Sequence, residues 1–341
     1  MPRSKSVGIK AGLYVISLAI LVYVVVYMPT PYMIHAPGSA EEIKPMVSVA
    51  AGDKEEKGTF MLTTVSVSYA NIAMLITTQF KKHAEIIRKE PDRNDEEYET
   101  QQRYYMNSSQ SNAIMAAYAH AKVEYAVVPE YVFVVGFSKT VTPKGDFHPG
   151  DIIKKVNGEP IGKFEMLAAT LKGKSAGDKV AVELERGGKA VEQQVELVEI
   201  GDENGTLKAG LGVSVGEVSK VQPKQADKEV HFEDTRIGGP SAGLMFTLEI
   251  FNQLTPGDLS KGYRIAGTGT MSEDGTVGPI GGVQFKIVAS EREDADIFFV
   301  PEDNYKEAKA KADEIDSDMK LIPVEQMDDA LDYLEELAPK S

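Results

Sequence analysis

From Ala11 to Met28 the chain runs AGLYVISLAILVYVVVYM, 18 residues without a charge, in which only Gly12 and Ser17 interrupt the apolar character. A membrane-spanning helix needs about 17 to 25 such residues, so the segment is read as a transmembrane anchor. Polar positions on either side set its expected orientation. Arg3, Lys5 and Lys10 precede the run with no acid among them, and the far side opens with Glu41 and Glu42. Basic flanks stay cytoplasmic, which places the N-terminus inside and the rest of the chain outside. A cleaved signal peptide is the alternative, but its apolar stretch is usually shorter and ends in small residues, whereas this run ends in Tyr27-Met28-Pro29-Thr30-Pro31. Pro29 to Pro37 then reads as a semi-rigid spacer that lifts the remainder of the chain off the bilayer.

Beyond the spacer, Lys57 to Ser68 has the alternation and β-branched content of a strand. A polar tract from Phe80 to Lys122, punctuated by Pro91, reads as helical, with its charge runs as solvated faces and Ser108, Ser109 and Ser111 marking a helix start. Between about Tyr125 and Ile200 the texture changes to short strands and tight turns. The pattern predicts a strand over Tyr131 to Phe137, a buried strand at Ile152 and Ile153, a turn at Asn157-Gly158, a helix from Phe164 and a hairpin about Gly187-Gly188. Further on, the segment from Ile237 to Asp258 is apolar at Leu244, Met245, Leu248, Phe251 and Leu254 and stops at Pro256-Gly257. It predicts a helix with Pro240 in its first turn and Ser241 beside it.

Composition narrows the chemistry. The chain has 341 residues, 37 Lys and Arg against 52 Asp and Glu, and a net charge of -15, with 42% apolar residues. That is room for two or three folded domains, with no basic stripe to attract nucleic acid. The three basic residues ahead of the apolar run leave the remainder at -18, an acidic outer body behind a basic leader. Cysteine is absent and histidine occurs only at 35, 83, 120, 148 and 231. Thiol nucleophiles, disulfides and cysteine-ligated metals are therefore excluded, no H-E-x-x-H exists to hold zinc, and neither a metal nor a cofactor is expected.

Gly239-Pro240-Ser241-Ala242-Gly243 reads G-x-S-x-G, but the elbow of an α/β-hydrolase requires a histidine downstream of the serine, and the last one is His231. A hydroxyl at a helix start sits among unpaired backbone N–H groups, where an oxyanion is stabilised. Its best remaining base is Lys286, 45 residues on, whose helical neighbours Gly282, Val283, Ala289 and Ser290 are small or apolar. Burial without a counter-ion lowers an amine from its ordinary value of about 10.4 toward the range of a general base. Taken singly, Ser241 reads better as a helix cap and Lys286 as a surface lysine.

Two family resemblances change that balance. FHPGDIIKKVNGEPI, from Phe147 to Ile161, resembles the core signature of a PDZ domain, which implies capture of an extended peptide at a sheet edge. The resemblance places that edge and its carboxylate loop around Tyr131 to Phe137, with Val135, Gly136 and Phe137 as the nearest piece to the family's G-L-G-F. GPSAG at 239–243, AGTGTMSEDG from Ala266, GTVGPIGG from Gly275 with Lys286 four residues after Gly282, and DIFFVPEDNY from Asp296 together resemble the proteolytic domain of Lon-type serine proteases. That resemblance implies a Ser241–Lys286 dyad, Thr268 as the hydroxyl that orients the lysine, and an oxyanion turn at Gly239, Pro240 and Ala242. The family often has Asp where this chain has Gly238.

The expected architecture is an α+β multidomain chain: a cytoplasmic leader at 1–10, an anchor at 11–28, and a strand-plus-helix region at 40–124 packing with the protease domain. A PDZ-like module at 125–200 and a Lon-like domain at 207–341 complete it. With no G-x-x-x-x-G-K-[ST], the implied activity is an ATP-independent serine endopeptidase at the cell membrane, acting on extracytoplasmic proteins or peptides. A catalytically inactive, membrane-tethered PDZ scaffold is the alternative, and a hydrolase of small esters a third. Lon-like domains often form rings, so the resemblance allows a homo-oligomer.

Overall fold

The computed structural model describes residues 3–53, 57–90, 94–138, 140–201, 207–233 and 237–340, without the side chains of 3–8. Helix α1 (Arg3–Tyr27) contains a 19-residue stretch, Ile9–Tyr27, long and apolar enough to cross a membrane, with its large side chains exposed. After Met28 the chain enters strand β1 (Pro29–Glu42) directly, then β2 (Val47–Val49), β3 (Thr59–Asn71), α2 (Ile72–Thr78), β4 (Glu85–Arg88) and α3 (Asp95–His120). The spacer expected over Pro29 to Pro37 is therefore a strand. β1 lies between β3 and β4. Prolines, which lack the N–H a ladder needs, are tolerated because register shifts fall between Pro29 and Met33 and between Pro37 and Ala40. The pairing with β4 uses only Tyr32 to His35.

A second body is built from β5 (Tyr125–Phe137), β6 (Ile152–Val156), β7 (Glu159–Pro160), α4 (Phe164–Leu171), β8 (Lys179–Arg186), β9 (Lys189–Glu196), the hairpin β10 (Val198–Gly201) with β11 (Leu207–Gly210), and β12 (Val213–Pro223). The predicted turns are present for a conformational reason. Asn157 and Gly158, like Gly187 and Gly188, all have positive φ, as the tight turns matching strand twist require. The antiparallel sheet has the order β12-β5-β6-β8-β9, with β7 on β6. Its core is Val132, Val134, Ile153, Val156, Leu167, Val180, Val182, Leu184 and Val195. Asp151, 1% exposed, is held there by Arg186, whose Nε and Nη2 donate at 2.8 and 2.9 Å.

The chain then returns to the first body through β13 (Val230–Phe232), α5 (Gly243–Leu254), β14 (Arg264–Gly267), β15 (Thr270–Met271), β16 (Val277–Gly278), α6 (Val283–Arg292), β17 (Ile297–Pro301), α7 (Glu302–Glu314), β18 (Lys320–Val324) and α8 (Met327–Glu336). The main sheet has the order β18-β17-β14-β3-β1-β4. β14, β17 and β18 run parallel to one another and to β3, while β1 is antiparallel to its neighbours. Both faces are covered. Phe60, Leu62, Ile265, Ile297 and Phe299 pack toward α3, α5 and α8, and the alternating Met61, Ala266, Phe298 and Val300 pack toward α6 and α7. Each large side chain so buried contributes about 1.5 to 3 kcal/mol, and with no cysteine these layers carry the stability.

Helix α3 begins at Asn94, not at the serines. Asn94 Oδ1 accepts from Glu96 N at 3.0 Å, and Asp95, Glu96 and Glu97 occupy the positive first turn. Ser109 and Ser111 lie mid-helix and spend their hydroxyls on tertiary carbonyls, Pro240 O at 3.0 Å and Ser219 O at 3.5 Å. Pro91, read as punctuation, lies outside the described residues. Helix α5 also differs: its N-cap is Ala242, so Pro240 and Ser241 form a turn before the helix, not its first turn.

Breaking the Asp151–Arg186 pair leaves a buried carboxylate without its cation, held among the described residues only by the N–H of His148 at 2.8 Å, at a cost of about 3 kcal/mol. Arg186→Leu is therefore expected to speed amide exchange in β6 and β8 while leaving the main sheet protected, measured by hydrogen–deuterium exchange.

Candidate active site

Three chain segments meet at Ser241. The first is the turn Gly238–Ala242. Gly239 has φ 91, a left-handed conformation suited to glycine, and its N–H donates to Gln102 O of α3 at 3.0 Å. Pro240 O accepts from Ser109, and Ser241 O accepts from Gly269 N and from the Thr268 hydroxyl, each at 2.9 Å. The serine carbonyl is thereby pinned from one side and the preceding residues from the other. Among the described residues, the N–H groups of Ser241 and Ala242 have no backbone acceptor, which leaves two donors at the entrance of α5 for an incoming anion.

The second segment is α6. Gly282, φ 72, turns the chain into the helix, and the loop before it is clamped by Asn304, whose side chain both accepts from Ile280 N at 2.9 Å and donates to Ile280 O at 3.0 Å. One turn into α6, Lys286 points inward and is 2% exposed. Its Nζ lies 2.9 Å from Ser241 Oγ and 2.8 Å from Thr63 O. Among the described residues no carboxylate compensates the charge, and desolvation pushes the amine down from 10.5 to about 7. At that value the nitrogen is neutral in a large fraction of molecules at neutral pH, with a lone pair able to take the serine proton.

The third segment is β3, which supplies Thr63 O and, with α3, the walls of a cleft of about 620 Å3. His35, Glu41, Thr64, Val65 and Val67 line one side and Tyr98, Gln102 and Met106 another, with Ser241 and Lys286 also at the lining. Sequence reasoning brought Ser241, Lys286, Gly239, Pro240, Ala242 and Thr268 to this place, and the structure gathers all six. The contact expected of Thr268 differs: its hydroxyl holds the carbonyl of Ser241, and the amine's second partner is the main chain of Thr63. A backbone carbonyl carries no residue signature, so nothing in the pattern marked Thr63. Gly238 lies against α3: a Cβ there would stand 3.0 Å from Gln102 Cβ, a tight contact that a small shift of the helix side chain would have to relieve.

The peptide edge expected at Val135, Gly136 and Phe137 is not an edge. Gly136 pairs with Ser214 and Phe137 with Val213 of β12, and Phe137 N already donates to Glu97 Oε1 of α3 at 3.1 Å. With β9 at the opposite edge, the outer strand on this side of the sheet is β12. Between it and α4 lies a groove of about 440 Å3 lined by Phe164, Leu167, Leu171, Leu211, Val213 and Val215. Gly210-Leu211-Gly212-Val213 at its end reads G-L-G-V, with Gly212 at φ 78. That signal was present in the sequence. The expected edge falls on an inner strand because the chain enters this module by β5 and leaves it by β12.

Residues 212–336 match the Lon protease (S16) C-terminal proteolytic domain, and residues 120–197 match a PDZ domain. The chain is 30% identical over 145 residues to the Lon protease of Metamycoplasma arthritidis, covering 39% of this chain and 17% of that one. It is 34% identical over 120 residues to the Lon protease of Elusimicrobium minutum, covering 34% and 14%. The chain thus spans less than a fifth of the length of these relatives. A PDZ domain of an SdrC-like protein from Listeria monocytogenes is 25% identical, with a TM-score of 0.22, covering 25% of this chain and 87% of that one. This chain combines a Lon-type proteolytic domain with a PDZ domain, behind an N-terminal helix able to span a membrane.

The depressed amine has a thermodynamic signature. Between the folded value of about 7 and the ordinary 10.5, the unfolded chain binds a proton that the folded chain lacks, so this group's contribution to stability rises with pH across that window. Lys286→Met is expected to stabilise the protein at pH 6 by a few kcal/mol, bounded by about 5 from the size of the shift, with the gain shrinking toward pH 10.5. Urea titrations monitored by tyrosine fluorescence check this.

Proposed function

We propose that this chain is an ATP-independent serine endopeptidase anchored in the cell membrane by the segment 11–28, with the leader 1–10 cytoplasmic and the catalytic part outside. In this reading the stretch from β13 to α8, completed by β1 to α3, is the proteolytic domain, and β5 to β12 form a PDZ-like module that presents protein or peptide substrates, so the expected bounds at 200 and 207 move to the end of β12 at Pro223. The observation that carries the proposal is the 2.9 Å approach of an uncompensated, buried Lys286 amine to Ser241 Oγ.

The placement sets the chemistry. Ser241 Oγ attacks the substrate carbonyl as its proton passes to Lys286 Nζ. The resulting oxyanion is met by the N–H groups of Ser241 and Ala242, held by Thr268 and Gly269 on one side and by α3 on the other. Lys286, now an ammonium, returns the proton to the leaving amine, which departs and leaves an acyl ester on Ser241. A water molecule deprotonated by the same amine then releases the second product. Peptide capture is assigned to the groove between β12 and α4, where an extended segment adds to the free edge of β12 and places apolar side chains against Phe164, Leu167 and Leu171. Lys172, Lys174 and Lys208 at its lining favour a carboxylate end.

The full chain in detergent is expected to cut unstructured peptides with a rate that rises through a midpoint near pH 7, as the amine loses its proton. Ser241→Ala and Lys286→Ala should each lose at least about 10³-fold in kcat. Lys286→Arg should be equally inactive, because a guanidinium stays protonated. Equal product from the wild type and Ser241→Ala would overturn the proposal.

A further inference from the structure

The strand that leaves the membrane helix is also the strand that builds the cleft. α1 ends at Tyr27 and β1 begins at Pro29. The junction is braced: Asn71, paired with Pro29 across β1 and β3, donates from Nδ2 to Val26 O at 2.6 Å, and its Oδ1 accepts from Met74 N at 2.7 Å, capping α2. β1 is then held by β3 as far as Glu42. His35 and Glu41 line the cleft, and Ala40 pairs with Thr63, whose carbonyl holds Lys286. From the helix to the residue that faces Thr63 the path is a single strand, its pairing with β3 interrupted only at two register shifts.

Its length is bounded. At about 3.3 Å per residue, the 13 residue steps from Tyr27 to Ala40 cover at most about 40 Å. Register shifts and strand tilt only shorten that. An anchor on a flexible linker would let the cleft sample many heights and face in any direction; an anchor on a paired strand does not. When enzyme and substrate share a bilayer, their effective concentration is high only where the geometry permits engagement.

We propose that β1 acts as a ruler, and that the substrates are proteins tethered to the same membrane face, cut in an extended stalk at a height that β1 sets at no more than about 40 Å, or about a dozen extended residues. This rests on the anchored-peptidase reading above. Bonds far out on a long stalk lie beyond that reach and lose the benefit of the shared membrane.

The test reconstitutes the full chain in phosphatidylcholine–phosphatidylglycerol vesicles with a single-pass substrate. The stalk of that substrate is tandem copies of one hexapeptide that the full chain cuts in solution, so every repeat offers the same chemistry. Mass spectrometry reads the cut positions. Expected is one band of cuts centred within about a dozen extended residues of the bilayer and about tenfold denser than elsewhere on the stalk. A Gly-Ser insertion of about ten residues between Met28 and Pro29 should spread the band outward, with cutting of the free hexapeptide confirming that the variant is intact. Even cutting along the stalk, a band centred beyond about twenty residues, or an unchanged band in an active insertion variant would overturn the ruler. Should the insertion variant not cut the free hexapeptide, the wild-type band decides alone. The underlying reading fails separately: identical cuts from Ser241→Ala remove the peptidase, and release of the wild type from vesicles by alkaline carbonate removes the anchor.

Discussion

A lysine amine buried, among the described residues, with no carboxylate beside it is the constraint around which this structure is organised. Taking an ammonium out of water is costly, and the cost is met here by letting the amine go neutral near pH 7. That requires a dry position, a carbonyl to receive the remaining N–H, and a hydroxyl at hydrogen-bonding distance. Thr63 and Ser241 supply the last two. Dryness comes from the layers above and below: α6 lies over a sheet whose Met61, Ala266 and Phe298 are fully buried, so that Lys286 passes between packed surfaces to reach the serine.

Because the amine's carbonyl partner is on β3, the domain that holds the dyad extends well beyond residues 212–336. β3 and β1 complete its sheet, and α3 braces the serine turn through Gln102 and Ser109. The same helix contacts the PDZ sheet, with the Tyr104 ring 5.5 Å from that of Phe133 and Glu97 accepting from Phe137. One helix therefore fixes both the nucleophile turn and the inner strand of the peptide-capture module, and one strand fixes both the sheet and the membrane helix. The parts are joined by shared secondary structure instead of linkers.

Much of this was legible residue by residue. Met61 set against Phe60 and Leu62 shows the period-two alternation of a strand covered on both faces, and Asn157-Gly158 and Gly187-Gly188 name their turns because few residues adopt positive φ without strain. Ser241 and Lys286 were found because removing Cys and downstream His left few partners for a nucleophile. The misplaced elements share a cause. The three serines at 108–111 looked like caps because Ser favours helix starts, yet the hydroxyls of Ser109 and Ser111 found partners on other segments. Prolines 29, 31 and 37 looked like a spacer because Pro lacks an N–H, yet the gaps in the ladder fall where they stand. Thr268 and the stretch at Val135–Phe137 were assigned contacts by analogy with other chains, and their local neighbours here gave no means of checking them.

By itself, then, the sequence determined the quantities that depend on local chemistry: the apolar length of α1, the turns, the alternation of each strand, and which side chains can attack or accept a proton. Tertiary structure alone decided which distant main-chain atoms those side chains meet. That Lys286 rests on the carbonyl of Thr63, that Gln102 fills the space beside Gly238, and that β12 and not β5 presents the open edge are consequences of strand order and helix packing. Strand order depends on pairings between residues far apart in the chain, from Ile265 with Ile297 to Arg264 with Thr59. A carbonyl is chemically the same at every residue, so no pattern along the chain distinguishes the one that a buried amine will find.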